Sequence, residues 1–212
     1  LCHAHTQYGV ECDQVFEMIT SRYIEIRDEL KLNVDLESEF EALKRRLDAR
    51  AVSQDELASR GEYFSAKLMA AFLGFQFIDA ADWIKFNVDG SVNKKASYGA
   101  LRSMMKGKGI VIPGFYGTMP DGTIRTFSRG GSDITGALAA AALDADVYEN
   151  WTDVSGILMA DPRIVDDPLP IPEVTYDELR ELSYSGANVL HEGSIFPVRE
   201  KNIPLNIRNT ND

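Results

Sequence analysis

TFSRGGSDITGALAAAAL, Thr126–Leu143, sets an apolar lead-in, an arginine, two glycines, a serine and an aspartate directly before an alanine-rich run. The junction reads as a strand that enters a helix through a glycine turn. Glycine lets the backbone come close to a ligand. The free N–H groups of a helix's first turn, with the dipole behind them, attract an anion. Arg129, one step upstream, adds a fork of donors suited to a carboxylate or a phosphate. The plainer alternative is a tight connection in which Ser132 or Asp133 caps the helix. Arg129 favours the anion site, because a capped turn has no need of it.

Working outward, the pattern alternates. Val15, Met18, Ile19, Tyr23, Ile26 and Leu30 recur at helical spacing, which predicts an amphipathic helix over 13–31. Leu36, Phe40, Leu43 and Leu47 mark a second. Ser53 with Glu56 has the form of a capping box and opens a helix that runs to about Leu73. FQFID (75–79) and GIVIPGF (109–115) read as short buried strands, and TIRTF (123–127) as another after the turn MPDGT. The helix Ser132–Leu143 follows, then the strand ADVYENW, which ends at TDV. Thr175 with Glu178 is a second capping box, opening a helix to about Tyr184, and IPLNIRN (203–209) is a last strand. The proline-rich DDPLPIPEV (166–174) reads as a loop.

Strands alternating with helices predict an α/β fold with a mostly parallel sheet covered on both faces. Ligands in such sheets sit beyond the carboxyl ends of strands. The loops after TIRTF and after ADVYENW are both expected there.

Composition narrows the function. The chain has 212 residues and a formal net charge of −11, which argues against nucleic acid as a partner. An acidic protein that binds an anion must do so with locally placed basic groups. No run is long and apolar enough to span a bilayer, so no membrane partner is expected. Two cysteines, Cys2 and Cys12, suggest a reduced, cytoplasmic setting. Cys2, His3, His5 and Cys12 match no established zinc spacing, and no metal site is read from them. The chain opens without a methionine and enters a helical pattern at once, as a fragment of a longer protein would.

Two further segments carry candidate chemistry. In SRGEYFSAKLMA, from Ser59, Gly61 interrupts a strongly helical pattern at a cost of about 1 kcal/mol relative to alanine. A ligand or another backbone passing close would explain it. Ser59 and Glu62, three apart, are expected to share a face, where Glu62 would accept hydrogen bonds from an ammonium group; the alternative is a solvated glutamate. In WTDVSGILMADPRI, from Trp151, Thr152 and Asp153 follow a strand and Asp161–Pro162–Arg163 follow a glycine. That arrangement suits the edge of a nucleotide, with Arg163 on a phosphate, although Asp-Pro alone also marks a turn. His191 has no obvious partner, and there is no Gly-x-Ser-x-Gly, Walker loop or dinucleotide fingerprint.

With these segments in view, the chain resembles the aspartate kinases of the amino-acid kinase family. SRGE (59–62) is similar to their Ser-x-Gly-Glu segment and SRGGSD (128–133) to their Arg-Gly-Gly-Ser-Asp loop. WTDVSGILMADPR (151–163) is similar to their nucleotide segment, and GANVLHEGSIFPVREKNIPLNIRNT (186–210) to the end of their catalytic domain. The resemblance implies a three-layer αβα sandwich around a mainly parallel sheet, with residues 1–212 forming one partial catalytic domain. It implies transfer of the γ-phosphoryl group of ATP, with Mg²⁺, to the side-chain carboxylate of L-aspartate. The product would be 4-phospho-L-aspartate, on the way to lysine, threonine and methionine. Kinases of the same fold for glutamate, acetylglutamate or a nucleoside monophosphate, and a non-catalytic ligand-binding fragment, are the alternatives. A cytoplasmic homodimer is expected of the full-length protein.

By the same resemblance Glu62 would hold the substrate's ammonium group. Arg129 would pair with its carboxylate, and Gly130, Gly131 and Ser132 would line the site. Asp133 would orient basic groups around the transferring phosphoryl. Thr152, Asp153, Leu158, Arg163, Asn188 and Val189 would contact ATP. Three departures stand out. The family's opening Lys-Phe-Gly-Gly segment precedes this chain, so the fragment alone is expected to be inactive. Leu158 stands where many members have tyrosine, and Asn188 where many have lysine.

Overall fold

The computed structural model describes residues 2–107, 109–153, 156–160, 164–184 and 192–211. The chain forms two compact units, Leu1–Thr126 and Phe127–Asp212.

The first unit opens with four helices: α1 (Cys2–Tyr8), α2 (Asp13–Glu29), α3 (Glu37–Asp48) and α4 (Gln54–Leu73). Leu36, Phe40, Phe64 and Leu68 bury together, with Phe16, Tyr23 and Leu43 packed against them. The Phe40 and Phe64 ring centroids are 4.5 Å apart. This core is the apolar stripe that the 3.6-residue period predicts. Ser53 caps α4, its hydroxyl accepting from the Glu56 N–H at 3.1 Å. The reciprocal half of the expected box is not made. The Glu56 carboxylate instead takes both terminal nitrogens of Arg46.

After α4 come β1 (Gln76–Phe77), α5 (Ala80–Trp83), α6 (Lys94–Met104) and β2 (Ile110–Val111). β1 and β2 pair in parallel, Gln76 opposite Ile110. Both are half-buried rather than buried as expected, and each has one strand partner among the described residues. β3 (Tyr116–Thr118) and β4 (Ile124–Thr126) close the unit as an antiparallel hairpin around the predicted turn. This corrects the expected placement of the loop after TIRTF: it leaves an antiparallel hairpin, not the carboxyl end of a parallel strand. Asp55, in the first turn of α4, ties the end of β4 down, accepting from the Thr126 N–H at 3.3 Å and its hydroxyl at 3.0 Å.

The second unit holds α7 (Gly131–Ala142), β5 (Tyr148–Thr152), β6 (Ile157–Leu158), β7 (Pro170–Ile171), α8 (Tyr176–Tyr184), α9 (Glu192–Glu200) and β8 (Leu205–Asn209). β5 and β8 run parallel, Tyr148 opposite Leu205 and Thr152 opposite Asn209. The alanines of α7 leave room for close packing: Ala137 and Ala140 bury against Val198 of α9 and Ile203. α8 carries a complete capping box. Glu178 accepts from the Thr175 N–H at 2.7 Å while Thr175 accepts from the Glu178 N–H at 3.2 Å. The segment expected to be a plain loop contains β7, which pairs antiparallel with β6. Ile157 thereby joins Leu179 and Ile195 in a small core. Among the described residues no helix is long and apolar enough to cross a membrane.

Candidate functional site

The Arg-Gly-Gly junction is built on a left-handed residue. Gly130 is the N-cap of α7 at φ 56°, ψ 27°. An L-residue there pays roughly 1–2 kcal/mol, and glycine does not. With glycine in the cap, no side chain bonds the first turn. The plainer alternative, a cap supplied by Ser132 or Asp133, is therefore not the one the structure adopts. Both lie inside α7, and Ser132 is exposed. The first ladder bond runs from the Ile134 N–H to the Gly130 carbonyl at 2.9 Å, so the N–H groups before it keep the donor character that the anion reading requires. Gly131 is buried, and its carbonyl accepts from the Thr135 hydroxyl at 2.8 Å. Arg129 is exposed and has no ion-pair partner among the described residues.

Asp133 is held from the neighbouring strand. The Asn150 amide donates to its Oδ1 at 3.1 Å, and the Tyr148 hydroxyl donates to its backbone carbonyl at 3.2 Å. Burial, with the Asp133 carboxylate nearby, pushes the Tyr148 hydroxyl up to about 12, so it remains a neutral donor. The Asn150 bond brings the first turn of α7 to the middle of β5. Thr152 ends that strand. Its carbonyl accepts from the Thr210 N–H at 2.9 Å, and its hydroxyl donates to Asp153 Oδ1 at 3.2 Å. Asp153 is exposed. Leu158 lies on β6, 37% exposed. Arg163, Asn188, Val189, Asp161 and His191 lie outside the described residues.

Sequence reasoning did not single out Tyr148 or Asn150. The signal was there: residues 148, 150 and 152 alternate onto one face of β5. Asn150 is only 9% exposed in the middle of a strand, a place asparagine is usually depleted from. The opposite face is polar. Glu149 pairs with Arg208 at 3.0 Å, and the Arg208 guanidinium lies over the Trp151 ring at 5.5 Å.

In the first unit Glu62 is exposed on α4, whereas Ser59 is fully buried. Glu62 meets solvent, while Ser59, three residues before it, turns inward. Its hydroxyl donates to the Glu56 carbonyl at 2.7 Å and accepts from Arg60 Nη2 at 3.0 Å. The Arg60 guanidinium stacks 4.4 Å above the Tyr63 ring and 5.6 Å from that of Tyr116. The Tyr116 hydroxyl donates to Asp79 at 2.6 Å. Burial, and for Tyr63 also a bond to Glu39, pushes both phenols above their usual range. Gly61 is not squeezed by the chain itself: a Cβ there would meet only the Tyr23 hydroxyl, at 3.8 Å. Close backbone approach is therefore not the reason for that glycine. A cleft of about 170 Å³ beside α4 is lined by Arg46, Glu56, Arg60 and Tyr63 and includes none of the predicted residues.

Among the described residues no three His, Cys, Asp or Glu side chains converge in a way that would hold a metal ion. His5 turns its Nδ1 to the Val10 carbonyl at 2.7 Å, and Cys12 is buried.

Comparison with known proteins agrees with the motifs. The amino acid kinase family model matches residues 18–209. Aspartokinase 3 of Bacillus subtilis is 35% identical over 94% of this chain and 47% of its own length. The crystal structure of Clostridium acetobutylicum aspartate kinase superimposes with a TM-score of 0.91 at 48% identity, over all of this chain and 48% of that one. E. coli aspartokinase III in complex with aspartate and ADP superimposes with a TM-score of 0.75 at 27% identity, over all of this chain and 53% of that one. The chain thus spans about half the length of these relatives. It has their mixed helix-and-sheet fold, and it belongs to the amino acid kinase family.

Proposed function

We propose that this chain is the catalytic part of an ATP-dependent aspartate kinase, acting in the cytoplasm as part of a homodimeric protein. The observation that carries the reading is the first turn of α7. Its N-cap is a left-handed glycine that leaves the turn's N–H groups uncapped, Arg129 precedes it, and Asp133 is anchored to β5, the strand that ends at Thr152 and Asp153. Such a turn suits an anion. The similarity to an E. coli enzyme described with aspartate and ADP names the two molecules to test.

The chemistry fits the residues. A carboxylate is ionised at neutral pH, so it attacks the γ-phosphorus without a general base, and the absence of a His or Cys base from the motifs is expected. What remains for the protein is alignment and charge neutralisation. In this reading Glu62 holds the ammonium group and Arg129 a carboxylate of aspartate, with Gly130, Gly131 and Ser132 around it. Thr152, Asp153, Leu158, Arg163, Asn188 and Val189 contact ATP. Mg²⁺, when bound to the nucleotide, neutralises phosphate charge. Among the described residues no three His, Cys, Asp or Glu side chains form a cage for it.

Aspartate-dependent ADP release by the intact protein tests the reading. Glutamate, acetylglutamate and a nucleoside monophosphate serve as competing acceptors. Arg129→Ala should lose kcat/KM worth on the order of 2–4 kcal/mol, with partial recovery in Arg129→Lys, which lacks the fork. Preference for another acceptor, or normal turnover by the alanine variant, would overturn it.

A further inference from the structure

Several helices carry an acid at the third position of the first turn, and in α4, α7 and α8 that acid has three different partners. In α8, Glu178 folds back onto the Thr175 N–H. In α4, Glu56 is paired with Arg46, and its charge is spent on that cation. In α7, Asp133 does neither. The N-cap of α7 also differs: Gly130 is left-handed, where Ser53, the cap of α4, is extended. The carboxylate is drawn sideways by a neutral donor, the Asn150 amide.

We propose that Asn150 is a positioning residue for the phosphoryl-transfer site, fixing the Asp133 carboxylate through Oδ1 and leaving Oδ2 to hold a basic group. The inference rests on the kinase reading above. Oδ2 has no partner among the described residues. A neutral donor anchors the side chain without cancelling its charge, which a lysine or arginine at 150 would do. Asn150 is nearly buried on the face of β5 that meets α7, between Tyr148 and Thr152, with Ile207 opposite it on β8. A buried amide costs stability unless it is bonded, so the side chain has been placed where only the Asp133 contact repays it. The Tyr148 hydroxyl, on the same face, fixes the Asp133 backbone carbonyl. Rotamer and backbone of Asp133 are thus set by one strand face.

Two substitutions in the intact protein test this. Asn150→Leu keeps the volume and removes the donor. It should lower kcat about 10- to 100-fold, the scale of a misaligned site, with KM for aspartate and ATP nearly unchanged and melting no lower than wild type. Asn150→Asp sets two carboxyl groups at hydrogen-bonding distance, so the pair must share a proton. The ionisable groups around it are otherwise occupied: Tyr148 stays neutral, Glu149 pairs with Arg208 on the far face, and on α9 Arg199 pairs with Asp177. Turnover by Asn150→Asp should approach wild type at acidic pH, where the shared proton restores the bond. It should fall as pH rises and the pair loses that proton, a limb the wild type lacks. Wild-type kcat in Asn150→Leu, or an unaltered pH profile in Asn150→Asp, overturns the proposal. So does a loss of kcat that merely follows melting temperature across both variants. Failure of wild-type protein to release ADP with any aspartate would instead overturn the kinase reading itself.

Discussion

Gly136 lies in the middle of α7, where alanine is ordinarily better than glycine by about 1 kcal/mol. Here the sign should reverse. A Cβ at Gly136 would lie 2.6 Å from the Tyr148 hydroxyl and 2.9 Å from its Cε2 and Cζ. Atoms do not pack so closely, so the ring or the helix must shift. Overpacking of this kind costs roughly 1–3 kcal/mol. Displacing the ring also strains the bond from the Tyr148 hydroxyl to the Asp133 carbonyl, worth about 1 kcal/mol. Set against the helix gain, Gly136→Ala should destabilise by about 1–3 kcal/mol. With Tyr148→Val the obstruction is gone, and the same change should stabilise by up to about 1 kcal/mol. A double-mutant cycle in urea therefore predicts a coupling of about 2 kcal/mol or more, of compensating sign. Gly136→Ala raising the unfolding midpoint in the wild-type background would refute the packing argument, as would equal effects in both backgrounds.

Gly61→Ala should do the opposite, stabilising by about 1 kcal/mol, since its Cβ would meet only the Tyr23 hydroxyl at 3.8 Å. A lower melting temperature would show a constraint the structure does not contain, and lost turnover with raised melting would mean substrate passes there. Alkaline pH should destabilise the protein. Tyr148, with its hydroxyl at about 12, and Tyr63 and Tyr116, higher still, all favour the protonated form when folded. Their contribution is full below the unfolded value of about 10 and is lost as pH rises toward the folded values, at up to about 1.4 kcal/mol per group per pH unit. Melting temperature should fall through that window, less steeply in Tyr148→Phe; a flat profile would contradict the burial of these phenols.

Helices α2, α3, α4, α7 and α8 were legible because their signals are local, whereas α5, α6 and α9 were not read from the sequence. The end of α4 at Leu73, and both predicted caps on Ser53 and Thr175, needed only spacing and side-chain chemistry. What failed depended on a distant partner. Glu56 has the sequence of a capping-box acid, yet Arg46, ten residues away, outbids the N-cap N–H because a cation binds a carboxylate more strongly than an amide does. β7 was hidden because Pro170 reads as a strand breaker. It is tolerated because β7 has only one partner among the described residues, β6, leaving an edge where the missing N–H is not needed.

The site shows the same division. Arg129, Gly130 and Asp133 were legible as donors and acceptors, because glycine before an alanine-rich helix has a local meaning. Their placement was not. Both candidate loops are expected at the carboxyl ends of parallel strands, whereas β5 fulfils that rule and β4 belongs to a hairpin. The Arg129 loop therefore cannot owe its position to a parallel ladder. Within the first unit Asp55 holds Thr126 at the end of β4, and within the second Asn150 and Tyr148 tether the first turn of α7 to β5. Each tether joins residues at least fifteen positions apart through a neutral donor, so neither leaves a periodic or compositional trace. The nearly buried amide of Asn150 in mid-strand becomes intelligible only when Asp133 is seen across from it.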